Sequence, residues 1–131
     1  MGKEVTLKNI EIINAMSGLI KLRKLELPTK VSWNINKNMK RLTSVIQDYY
    51  DAEKILIEKY AEKDEDGKVK ISDKGQYKVT ENAKEFSEKM NELYQLEDTI
   101  DILTIQLSDL EKYEIDGETL DTISFMINEE D

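Results

Sequence analysis

Apolar residues recur at Val31, Ile35, Met39, Leu42, Ile46, Tyr49, Leu56 and Tyr60, in steps of four and three with one gap at Ala52–Glu53. That spacing lines one face of an α-helix. No Gly or Pro interrupts the run after Pro28, and Lys, Glu, Gln and Ala are frequent along it. The pattern predicts one helix from Thr29 to about Lys63, roughly 50 Å long at 1.5 Å per residue. A rod of that length cannot bury its own stripe, so the shorter elements before and after it should pack along it.

Those shorter elements are legible in turn. Residues 3–8 alternate as a short strand. From Asn9 to Leu25 a broad apolar face (Ile12, Ile13, Met16, Leu19, Ile20, Leu22) predicts a helix with Asn9 as N-cap. Gly18 either weakens this helix or admits another backbone closely. Pro28 disfavours helix at Leu27, and so short a connection folds the first helix back on the long one. After the acidic turn Glu62–Gly67, Val69 and Ile71 alternate with lysines, as do Tyr77 and Val79 with Gln76 and Lys78. With Asp73-Lys74-Gly75 between them, this predicts a small β-hairpin. Thr80 is the candidate cap of a helix from Glu81 to Glu97 carrying Ala83, Phe86, Met90, Leu93 and Tyr94 on one side.

Residues 99–106, rich in Ile and Thr, favour a strand. Ser108 is a candidate cap for a short turn, and Asp116-Gly117 marks a break. Leu120, Ile123, Phe125, Met126 and Ile127 suggest a last helix before the acidic tail Glu129-Glu130-Asp131. The expected fold is α+β, mainly α: a long central helix packed by two shorter antiparallel helices, a small β-hairpin and a C-terminal strand–helix. No repeat or Pro/Ser/Gly-rich linker divides the chain, which is read as a single domain over 1–131.

Composition narrows the chemistry. Apolar residues make up 39% and charged residues 36%, with a mean hydropathy of −0.60. The core must therefore come from stripes, yet the chain is too apolar for disorder. No apolar run reaches the ~18 residues of a membrane span, and from the polar N-terminal stretch no export signal is expected. Cys and His are absent, which removes thiol catalysis, imidazole general-base chemistry and the usual zinc sites. The five glycines form no phosphate-cradling cluster. The expectation is a non-enzyme with no cofactor and no metal. The acidic turn can be laid over an EF-hand loop, with Glu62 at the first ligand position, but three faults oppose it. Glu replaces Asp there, Lys70 fills position nine, and Asp73 is too short for the closing bidentate ligand. A solvated turn is favoured.

Charge is segregated. Residues 1–45 sum to +6 and residues 46–131 to −15, a dipolar distribution that steers association with charged partners. On the long helix Lys30, Trp33, Lys37, Lys40, Arg41 and Ser44 lie opposite the Ile35/Met39/Leu42 stripe, with Lys21, Arg23 and Lys24 ending the first helix nearby. Lys30, Trp33, Lys37, Lys40 and Arg41 are the candidate binding residues. An aromatic ring among ammonium groups suits an acidic protein surface, a nucleotide or a nucleic-acid backbone. Against this, large aromatics are usually mostly buried, which favours Trp33 packing beneath the C-terminal strand. The strongly negative remainder of the chain disfavours nucleic acid. Asp98, Asp101, Asp109, Glu111, Glu114, Asp116, Glu118 and Asp121 could mimic phosphates, but solubility accounts for them more simply. Met16, Met39, Met90 and Met126 read as core filler.

The blocks LPTKVSWNINKNMKRL (27–42), EKILIEKYAEKDEDGK (53–68) and LSDLEKYEI (107–115) resemble a group of small uncharacterised proteins from phages and prophages of Gram-positive bacteria. That resemblance implies a viral protein acting in the host cytoplasm and transfers no catalytic residue. This chain departs from it in Trp33 and in a less hydrophobic first block. The expected function is a small phage-encoded protein–protein interaction module that binds and inhibits a host factor, an antiviral defence component being one candidate, in a stoichiometric complex. A phage assembly accessory or minor structural protein is the alternative, and a nucleotide or small-anion binder a second. Pairing with a second copy is compatible with the pattern.

Overall fold

In the computed structural model, which describes residues 2–129, the chain is mainly helical with two small two-stranded sheets. Met1, and Glu130 and Asp131 of the acidic tail, lie outside the described residues. The element order is β1 (Gly2–Lys8), α1 (Asn9–Arg23), α2 (Thr29–Tyr60), α3 (Ala83–Gln95), β2 (Glu97–Leu103), β3 (Ile105–Gln106), α4 (Gly117–Thr122) and β4 (Ile127–Asn128). The chain divides into two compact units, one of residues 2–46 and 97–129, the other of residues 47–96. The α+β, mainly α class read from the sequence is the observed one, and the long helix is unbroken from Thr29 to Tyr60.

In the first unit the stripe of α2 is buried as its spacing requires: Val31, Ile35, Met39, Leu42 and Ile46 all belong to the core. From α1, Ile12, Ala15, Leu19 and Leu22 join the core. Lys8, not Asn9, is the N-cap of α1, and the Glu11 carboxylate accepts a 2.9 Å hydrogen bond from its backbone N–H. Asn9 is itself buried. Gly18 allows the close approach that its position suggested. A Cβ there would collide with Thr122 Oγ1 and lie 3.3 Å from Ile123 Cγ2 and 3.4 Å from the Thr119 carbonyl oxygen, so α1 and α4 meet almost backbone to backbone.

The first strand finds its partner about ninety residues later. β1 and β2 pair antiparallel from Gly2↔Leu103 to Lys8↔Glu97, with Leu7, Ile100 and Ile102 turned into the core. α2 closes the far edge of β2. The fully buried Asn38 side chain accepts from the Leu103 N–H at 2.7 Å and donates to the Leu103 carbonyl at 2.8 Å, as a neighbouring strand would. The final helix is shorter than its apolar residues suggested. Asp116 caps α4 by accepting from Thr119 N–H at 2.6 Å. The chain leaves helix at Ile123, passes through a 3₁₀ turn over Ser124–Met126, and lays β4 parallel to β3. A second 3₁₀ turn, Leu107–Asp109, follows Gln106 rather than being capped by Ser108.

In the second unit Tyr49 stacks on Tyr94 and Tyr60 tilts against Phe86. The higher-numbered residue of α2 thus meets the lower-numbered residue of α3, so the two run antiparallel. α3 begins after Asn82, whose positive φ of 56° turns the chain into the helix; Thr80 is not its cap. The small antiparallel hairpin has its bridge between Lys63 and Val69, one turn earlier than the alternation of residues 68–79 implied. Asp64–Gly67 forms that turn, with Gly67 at φ 79° and the Asp64 carboxylate accepting from the N–H of Asp66 and of Lys68. The turn expected at Asp73-Lys74-Gly75 also forms, with Gly75 at φ 74° and Ser72 N–H bonded to the Gln76 carbonyl. Its arms make no regular ladder, because Glu62 takes the inter-segment bonds of both Lys70 and Lys78.

Candidate functional site

Because α2 buries one stripe, its opposite arc is left to solvent. Lys30, Trp33, Lys37, Lys40, Arg41 and Ser44 fall within an arc of about 100° on that side, and each is exposed. Trp33 is 61% exposed. The burial expected from its size is therefore wrong: position outranks residue type, since burying Trp33 would turn Ile35 and Leu42 out of the core. Lys37, one turn on, places Nζ 5.0 Å from the centroid of the Trp33 ring, a cation–π contact that steadies both side chains. Between Glu26 and Asp48 the sequence contains no acidic residue, so the stretch of α2 that bears the patch has no carboxylate of its own; the first on the helix is Asp48, one turn beyond Ser44.

The neighbouring cations are distributed differently from the sequence expectation. Arg23, at the end of α1, does join the patch; with Asn36, Met39, Lys40 and Thr43 it lines an open depression of about 460 Å³. Lys21 does not. It borders a separate cavity of about 490 Å³ between α1 and α4, alongside Glu118 and Asp121. Arg41 is only partly available, because its guanidinium donates to the Asp101 carbonyl of β2 at 3.1 Å. The patch thus ends at Arg41, where the acidic strand begins.

The carboxylates of the last third, from Asp98 to Asp121, are exposed. Asp116 is committed to capping, and its hydrogen bonds to Thr119 hold its carboxyl below the usual aspartate value. In the second unit the sequence reading missed a phenol–carboxylate cluster. Tyr49 Oη donates to Glu53 Oε2 at 2.7 Å. Burial first, then the Glu53 hydrogen bond, raises the Tyr49 phenol far above the ordinary tyrosine range. Burial and the Glu53 charge raise Tyr77 as well. Both rings remain O–H donors at neutral pH, which suits a structural node. The 49/53 spacing of one helical turn was its only signal in the sequence. Among the described residues, no group of three or more acidic side chains is arranged to hold a metal ion, and no helix is long and apolar enough to cross a membrane. No family model, curated protein or solved structure matches the chain.

Proposed function

We propose that the chain is a protein-binding module whose contact face is the Lys30–Ser44 side of α2, and that its partner presents an acidic surface. The observation that carries this reading is Trp33: a large ring kept in solvent, braced by Lys37, on a stretch with no carboxylate. Tryptophan and arginine ringed by polar groups are what concentrate binding energy in protein interfaces. The resemblance to small phage proteins supports a phage-encoded inhibitor that acts stoichiometrically on a host factor. The charge segregation supports fast, salt-sensitive association.

The test is affinity capture from a Gram-positive host lysate with the native chain, Trp33→Ala and Lys37→Glu in parallel. A partner retained by the native chain and lost from both variants, with an association rate that falls as salt rises, supports the reading. A partner held equally by all three, or no partner at all, refutes it. A nucleotide or small anion stacked on Trp33 is the second reading, favoured by the same ring–ammonium pair. A rise in Tm with added nucleotide that disappears in Trp33→Ala would select it, because a ligand bound only to the folded state stabilises by mass action.

A further inference from the structure

We infer that β1 is a dimerisation edge, which pairs antiparallel with β1 of a second copy about a two-fold axis at Val5 to give a four-stranded sheet β2–β1–β1–β2. The inference follows from where the backbone groups point. The Leu103 N–H and carbonyl are both taken by Asn38, and the Asp101 carbonyl by Arg41. Residues 101 and 103 therefore turn their backbone polar groups away from β1. In an antiparallel ladder, directly opposed residues turn the same way, so Gly2 and Glu4, opposite Leu103 and Asp101, direct theirs away from β2. By the same alternation so do Thr6 and Lys8. The Lys8 N–H fits this, because it is bonded on the outer side to the Glu11 carboxylate at 2.9 Å.

That leaves the N–H and carbonyl of Glu4 and Thr6 facing outward from an exposed strand, with no described residue meeting them there. β1 has neither a proline nor a bulge to block its edge, since all seven of its residues pair in unbroken register with β2; its edge charges, Lys3, Glu4 and Lys8, restrict which partner and register it accepts.

A second copy fits this edge in one register. Glu4 opposite Glu4 of the partner would set like charges face to face. Thr6 opposite itself would require the Lys8 N–H, which Glu11 already holds. Centring on Val5 sets Glu4 opposite Thr6 twice over, so the four open residues of the pair exchange four hydrogen bonds. It also sets each Glu4 diagonally between Lys8 and Glu4 of the other copy, so the like charges are at diagonal spacing, not face to face, and each has a lysine on its other side. The lysine matters because, within one chain, Glu4 lies directly opposite Asp101, an arrangement that costs stability. Side-chain parity is kept across the axis, so the core-facing and solvent-facing sides of the sheet both continue through it.

Sedimentation equilibrium between about 5 μM and about 500 μM tests the association; dimer at the upper end is expected, given the small area of an edge contact. Glu4→Pro removes one outward N–H and no internal bond, and is expected to stay monomeric with an unchanged circular dichroism spectrum. Glu4→Lys, which keeps all backbone donors, should weaken association about fivefold at low salt. Because the chain has no cysteine, Val5→Cys should give a disulfide dimer on mild oxidation: non-hydrogen-bonded pairs hold Cα atoms about 4.5 Å apart. Thr6→Cys should not cross-link. A monomer throughout the range, a dimer indifferent to both Glu4 variants, or cross-linking through Thr6 in place of Val5 would overturn the inference.

Discussion

Asn38 is the residue whose removal should tell most about how the first unit holds together. It is fully buried, and its amide engages both backbone polar groups of Leu103, at 2.7 and 2.8 Å, while lying 3.4 Å from Met126 Sδ. Asn38→Ala strands a buried N–H and a buried carbonyl, each costing about 1–3 kcal/mol, and leaves a small void besides. The total is about 3–5 kcal/mol, or roughly 10–20 °C in Tm for a chain of this size. Asn38→Asp separates this mechanism from simple loss of volume. When protonated, the introduced carboxyl can still donate to the Leu103 carbonyl; when ionised it faces that carbonyl as a buried charge. Burial raises the folded-state pKa of such a carboxyl above its unfolded value of about 3.9. The variant should therefore be least impaired below that value and lose stability as pH rises through the folded pKa. Urea titration followed by circular dichroism reads the energies, and hydrogen exchange at the Leu103 amide reads the site. An Asn38→Ala cost below about 1 kcal/mol, or an undiminished protection of Leu103, would show that α2 does not hold β2 in this way.

Gly18→Ala should destabilise by about 1–3 kcal/mol through overpacking, despite better helix propensity, because the added methyl meets Thr122 Oγ1; thermal melts of Gly18→Ala and the double variant Gly18→Ala/Thr122→Ala should show partial recovery in the second. Trp33→Ala should alter stability by less than about 0.5 kcal/mol, since the ring is exposed, and a large loss would place it in a core. The raised Tyr49 phenol stabilises the fold fully below the unfolded tyrosine value near 10 and ceases to as pH rises past it. Alkaline melts of Tyr49→Phe should accordingly fall less steeply above pH 10 than those of the native chain. Asp116, with its lowered carboxyl, contributes above the unfolded aspartate value and loses that contribution as pH falls through its folded one. Asp116→Asn should flatten the acid limb of a pH–Tm profile.

What could be read beforehand divides along physical lines. α2 was legible because its periodicity is uninterrupted and a helix is a local structure. β1 and β2 were each legible as strands, since alternation is local too. Their pairing was not, because about ninety residues separate them and neither carries a register signal strong enough to name its partner. Asn38 had a visible mark, a lone amide among Ile35, Met39 and Leu42 on the apolar side; what it bonds depends on β2, which local reasoning cannot place. The hairpin failed in register because two glycine turns, at Gly67 and Gly75, compete for the same short arms. Trp33 is exposed because its place on the helical wheel, opposite the stripe, outweighs the tendency of a large aromatic ring to be buried.

The two surfaces left open in the first unit face different ways, and that has a consequence. β2 lies between β1 and α2, bonded to the first along its whole length and to the second through Asn38 and Arg41. A second copy on the outer edge of β1 is therefore added on the side of the sheet away from α2, and the Trp33 faces of both copies remain free. Such a dimer is bivalent. Against an immobilised partner at high density it should bind more tightly than Glu4→Pro, because the second engagement is intramolecular. Against the same partner free in solution, native chain and variant should bind alike. A Glu4→Pro variant weakened equally in both formats would mean that β1 touches the partner directly, and the separation of the two surfaces would fail.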